Sequence, residues 1–106
     1  MDKKELIISL IKDNLRNTHL LMGLSKLGFD TDKNHLYLSD TIFKLFRFKG
    51  DEYEEKVFEK YLIVSMKIAS IDIFAHPEKL EIKANKIYRY LVKKKKLQKK
   101  HNKRQE

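Results

Sequence analysis

A chain of 106 residues, 42% hydrophobic and 37% charged, is long enough to bury one core and too short for two, so a single domain is expected. Three Gly, one Pro and no Cys exclude a disulfide scaffold and a thiolate metal centre, and leave too few turn-formers for an all-β fold. The formal charge of +9 is unevenly placed: residues 93 to 106 hold eight Lys or Arg and one acid, a net of +7, which leaves +2 for residues 1 to 92.

Asp2 stands where it can cap a helix in which Leu6, Ile7, Leu10, Ile11 and Leu15 recur at intervals of three and four. The pattern continues through Leu20, Leu21, Leu24 and Leu27 to Gly28, which predicts helix over 3–27 with Gly23 as a point of bending or interruption. Leu20, Leu21, Met22 and Leu24 follow one another too closely for a helix to turn them all to one side, so they form a candidate partner surface. The apolar stretch from Leu6 to Ile11 is too short for a secretory signal and has no small-residue cleavage site, and a cytoplasmic protein is expected.

Phe29 to Leu38 contains Asp30, Thr31, Asp32 and Asn34, which favour turns, and this segment is predicted as the main loop. Asp30, Asp32 and Asn34 match the first three ligand positions of a calcium-binding EF-hand loop. His35 stands where that loop needs Gly and Thr41 where it needs Glu, so the turn reading is preferred. Ser39 or Asp40 is then expected to cap a short helix carrying Ile42, Phe43, Leu45, Phe46 and Phe48 and ending at Gly50.

Asp51 and Glu54 have capping-box spacing, and the acids at 51, 52, 54 and 55 suit the positive end of a helix dipole. Apolar residues from Val57 to Ala75 cover most of the circumference, which predicts the most buried helix there, stopped by Pro77. Its most apolar part, Tyr61 to Ala75, includes Lys67 and Asp72 and falls short of the about 20 residues that a membrane span needs. Pro77 also suits the first turn of the next helix, with its stripe of Leu80, Ala84, Ile87, Tyr88 and Leu91; the stripe fades after Val92. The expected fold is all-α: a small helical bundle of three long helices and one short helix over residues 1–92, with a basic, frayed or disordered C-terminal tail over 93–106. Phe43, Phe46, Phe58, Leu62, Met66, Ile87 and Leu91 are the expected core.

The tail, KKKKLQKKHNKR from Lys93 to Arg104, has the composition that displaces counterions from phosphates without reading sequence, or else serves as a solvated end. Its candidate nucleic-acid contacts are Arg89, Tyr90, Lys93, Lys94, Lys95, Lys96, Lys99, Lys100, Lys103 and Arg104, whereas Tyr88 is assigned to the core stripe. No zinc-ligand set, aromatic strand motif or helix-turn-helix glycine accompanies them. Asp72 and His76 lie one helical turn apart with Ser65 on the same face, but a metal or catalytic centre there needs His19 or His35 to converge on them. The plainer expectation is a solvent-facing strip or a polar contact across the bundle.

With no Gly-rich phosphate loop and no nucleophile elbow, no catalytic, cofactor or metal site is expected. The expected function is a non-enzymatic helical interaction module that self-associates as a homodimer or binds a protein partner. The alternative is a non-specific DNA- or RNA-binding protein acting through the tail.

Overall fold

A computed structural model describes residues 1–31, 36–71, 73 and 75–105, with side chains as far as Gln98. It contains four helices, α1 (Lys3–Lys26), α2 (Tyr37–Phe46), α3 (Glu52–Ala69) and α4 (Pro77–Gln105), and no strand among the described residues. The chain is an all-α bundle, as its periodicity and turn-poor composition require. No helix among the described residues is long and apolar enough to cross a membrane.

α1 begins as its sequence dictates, with the Asp2 carboxylate accepting the Glu5 N–H at 2.8 Å. It runs through Gly23 without a break and closes in a Schellman turn. Gly28, at φ 95°, donates its N–H to the Ser25 carbonyl, and the Phe29 N–H reaches back to that of Leu24. One face buries Ile7, Ile11, Asn14, Leu15, Thr18 and Leu21, and α2, α3 and α4 all pack on α1.

The centre of the bundle is therefore α1, whereas the apolar run after Val57 predicts α3. α3 buries a narrow stripe, Val57, Tyr61, Ser65 and Ala69, and leaves Ile63 and Met66 about half exposed. Lying on one side of α1, it needs only that stripe to close the core. Of the expected core residues, Phe43, Ile87 and Leu91 are buried, and Phe46, Phe58 and Leu62 are half-buried against them; Met66 belongs to the surface.

Two helix boundaries also differ from those the sequence predicts. α2 starts at Tyr37 after Leu36, which offers no side-chain cap, because Ser39 turns its hydroxyl into the core instead of capping. It ends well before Gly50, at Arg47, which takes a left-handed conformation with φ 58°. The Phe48 N–H then returns to the Phe43 carbonyl while the two phenyl rings stack at 5.0 Å, the apolar contact that accompanies this kind of cap.

α3 starts on Asp51, whose carboxylate accepts the Glu54 N–H, but stops at Ala69 and does not continue to Ala75. Its last carbonyls are taken by other groups: the His19 imidazole lies 2.6 Å from the Ala69 oxygen, and the Ser70 hydroxyl donates to Lys67 at 2.6 Å. Beyond that end, Ile73 returns to the core.

α4 buries Leu80, Ala84, Ile87 and Leu91 along one stripe and runs antiparallel to α1, with Lys12 paired to Glu81 and the Lys4 ammonium 5.8 Å over the Tyr88 ring. The helix continues past Val92, and the next fully buried residue on the stripe is polar. Gln98 donates to Asp51 Oδ1 at 3.2 Å, accepts from Lys95 at 3.2 Å, and meets the Lys49 N–H and carbonyl at 3.4 Å. Its amide thereby ties α4 to the turn between α2 and α3.

Candidate functional site

Three features stand apart from the packing. The first is a buried polar cluster where α1, α2 and α3 meet. Asn14 Nδ2 donates to Ser39 Oγ at 3.0 Å and to the Tyr61 hydroxyl at 2.6 Å. With the amide turned over, the same hydroxyls would donate to Oδ1, so either orientation pins three helices at one point. Burial pushes the Tyr61 phenol up to about 12, an effect partly offset by the adjacent Asn14, Ser65 and Ser39 side chains.

Ser65 lies beside that phenol, near enough to ease its titration, and is 2% exposed, yet its hydroxyl completes no hydrogen bond of full geometry to it or to any other group. Next to it opens a cavity of about 240 Å³ whose polar wall is Asn14, Thr18, Ser39 and Ser65. None of these groups is an activated nucleophile, because the phenol stays protonated and the His19 ring is engaged by Ala69. What these side chains can offer is hydrogen bonding to a polar group.

The second feature is the outer face of α4. Lys83, Lys86 and Arg89 precede the tail, and no Asp or Glu lies between Glu81 and Glu106. Lys86, Arg89, Lys93 and Lys96, spaced by three and four, are exposed along one ridge roughly 15 Å long. The other described tail lysines bend inward: Lys94 lies 5.6 Å over the Tyr90 ring, and Lys95 reaches the Arg47 carbonyl and the Phe48 ring. Tyr90 also receives Lys60 of α3 at 5.6 Å, so its ring is covered by two ammonium groups. Burial, then the neighbouring Tyr53, raises the Tyr90 phenol. The side chains of Lys99, Lys100, Lys103 and Arg104 lie outside the described residues.

The third feature is the apolar end formed by the last turns of α1 and the start of α2. Leu20 is 57% exposed, Leu24 42%, Phe29 63% and Tyr37 74%, whereas Leu21 is buried and Met22 half-buried. Leu20, Leu21, Tyr37 and Leu38 line an open groove with Asp13, Arg16 and Asn17 on its polar side, where Arg16 pairs with Asp13 at 3.0 Å. Helical crowding identified Leu20 and Leu24. Phe29 and Tyr37 fall in the segment the sequence predicts as a loop, and only the fold places Tyr37 beside Leu20.

Among the described residues, the remaining sequence candidates do not come together. His76 is exposed and faces Glu78 at 3.4 Å, His19 of α1 is engaged by the Ala69 carbonyl at the end of α3, and Asp72 and His35 lie outside the described residues. Asp32 and Asn34 of the EF-hand-like spacing also lie outside them, and no group of three potential metal ligands occurs among the described residues. No family model, curated protein or solved structure matches the chain.

Proposed function

We propose that this chain is a non-enzymatic helical interaction module that pairs with a second copy of itself through the apolar end of α1 and α2. The observation that carries the reading is the exposure of Leu20 and Tyr37 on one groove, with Leu24 and Phe29 exposed on the end of α1 and the turn that follows it. With Leu27, which is 76% exposed, these side chains present on the order of 600 Å² of apolar surface, close to one partner's share of a standard interface.

The patch contains both a ridge, Leu24 and Leu27, and a recess between Leu20 and Tyr37, which is what a two-fold interface needs. Charge favours the same occupant. α4 runs antiparallel to α1, so the basic ridge and tail lie at the opposite end of the bundle, and pairing through the apolar end keeps the two cationic tails apart. Sedimentation at tens of micromolar tests the reading: the native chain is a dimer, and Leu20→Ser with Tyr37→Ser makes it a monomer with unchanged helix content. A native chain that sediments as a monomer refutes it.

A second reading rests on the acid-free ridge of α4, which suits non-specific contact with DNA or RNA phosphates. Its test is a salt titration of binding to single-stranded and duplex probes. Four to six phosphate contacts give a log-log slope of about −3 to −5, and reversing Arg89 and Lys93 to Glu removes most of the affinity. Equal binding by the charge-reversed variant refutes it.

A further inference from the structure

We propose that the cavity among α1, α2 and α3 is a binding site for a small uncharged molecule with a carbonyl or amide head and an apolar body. The cavity measures about 240 Å³. That exceeds the roughly 150 Å³ that accommodates benzene in an engineered protein cavity, and equals the space of about eight waters.

Its wall is divided by chemistry. Asn14, Thr18, Ser39 and Ser65 supply hydroxyl and amide groups on one side. Leu36, Leu62 and Met66 supply an apolar side, with Leu36 and Met66 nearly half exposed at the mouth.

The unmet hydroxyl of Ser65 points to an occupant. A buried hydroxyl without a partner destabilises a fold, and Ala at the same position on α3 would pack without that cost. A ligand oxygen within reach of Ser65 satisfies it. Ser65 and Thr18 bring hydroxyls to the polar wall, and where Asn14 donates to Ser39 Oγ the Ser39 O–H is left to donate as well, so the wall suits an acceptor such as a carbonyl. No lining side chain carries a charge, so a carboxylate or ammonium entering the cavity would be buried without a counter-charge. This site is independent of the apolar end, and its occupancy does not require pairing.

Titrating the full chain with benzamide, benzoate and toluene, followed by methyl and amide NMR, tests the assignment. Benzamide shifts the Asn14 side-chain amide and the Met66 methyl, and benzoate binds at least about tenfold more weakly because its charge has no partner there. Ser65→Ala, which removes only the unmet hydroxyl, folds normally and weakens benzamide about two- to tenfold while leaving toluene unchanged. Ser65→Val, which narrows the cavity at its polar wall, weakens both. The assignment is overturned if benzamide and benzoate bind alike, if Ser65→Ala leaves benzamide affinity unchanged, or if no probe enters and the cavity takes only water.

Discussion

Replacing Asn14 by Ala tests whether the polar cluster holds α1, α2 and α3 together. The substitution removes two hydrogen bonds at once and leaves the hydroxyls of Ser39 and Tyr61, both 2% exposed or less, with only each other and Ser65 beside them. A buried hydroxyl without a partner costs about 1–3 kcal/mol, so the pair sets a range of about 2–6 kcal/mol. The hydroxyls of Ser39 and Ser65 lie beside the phenol and offset part of this, which places the expected loss near the lower end, about 2–4 kcal/mol. That is a large share of the about 5–15 kcal/mol that holds a small domain together.

Tyr61→Phe keeps the ring edge against Phe43 and removes only the hydroxyl, so about 1 kcal/mol is expected. In the double variant only Ser39 is left unpaired, and the combined loss falls short of the sum by about 1 kcal/mol. Urea unfolding at constant slope reads each term from the midpoint. An Asn14→Ala loss below about 0.5 kcal/mol, or strict additivity with Tyr61→Phe, would refute the role assigned to the cluster.

Three further outcomes are expected. Arg47→Gly stabilises the fold by about 1 kcal/mol in chemical denaturation, because Gly takes the φ of 58° without the steric cost that a side chain carries; a loss of stability contradicts this account of how α2 ends. The Tyr61 phenol is raised from 10.0 to about 12, so its contribution is fully present below pH 10 and is lost as the pH rises through 12, at most about 3 kcal/mol. Stability curves for the native chain and Tyr61→Phe should diverge in that window, and parallel curves there contradict the burial of the phenol. Gln98→Ala, by removing the amide that meets Lys49 and Asp51, should cost about 1–2 kcal/mol and speed hydrogen exchange at residues 49–54; unchanged exchange would show that the tie is idle.

The helices were legible because periodicity and capping are local. Asp2 and Asp51 each precede an acid three residues on, and both capping bonds form. Boundaries set by tertiary partners were not legible. α3 stops where His19, fifty residues away in sequence, takes the Ala69 carbonyl, and α2 stops at Arg47 because Phe43 and Phe48 stack. Apolar content pointed to α3 as the centre, but which helix is surrounded depends on arrangement, and α1 is surrounded.

Among the candidate surfaces, Leu20 and Leu24 were readable from crowding, and the basic run from composition. The polar cluster was not, because Asn14, Ser39 and Tyr61 carry no shared motif. Gln98 was hidden by its neighbours, a buried amide inside a lysine-rich stretch.

The antiparallel pairing of α1 with α4 sets a timetable for synthesis. α1 emerges first, presenting Ile7, Ile11 and Leu15 with nothing to cover them, and Leu91 follows Lys26 by 65 residues. At translation rates of roughly 5–20 residues per second, the part of this face that α4 covers stays open for roughly 3–13 s, while α2 and α3 emerge earlier to cover the rest. A helical bundle of this size, once its last partner arrives, folds in about microseconds to milliseconds. The slow interval in the life of this fold is the wait for its final helix, and during that wait α1 is a stretch that a chaperone would hold.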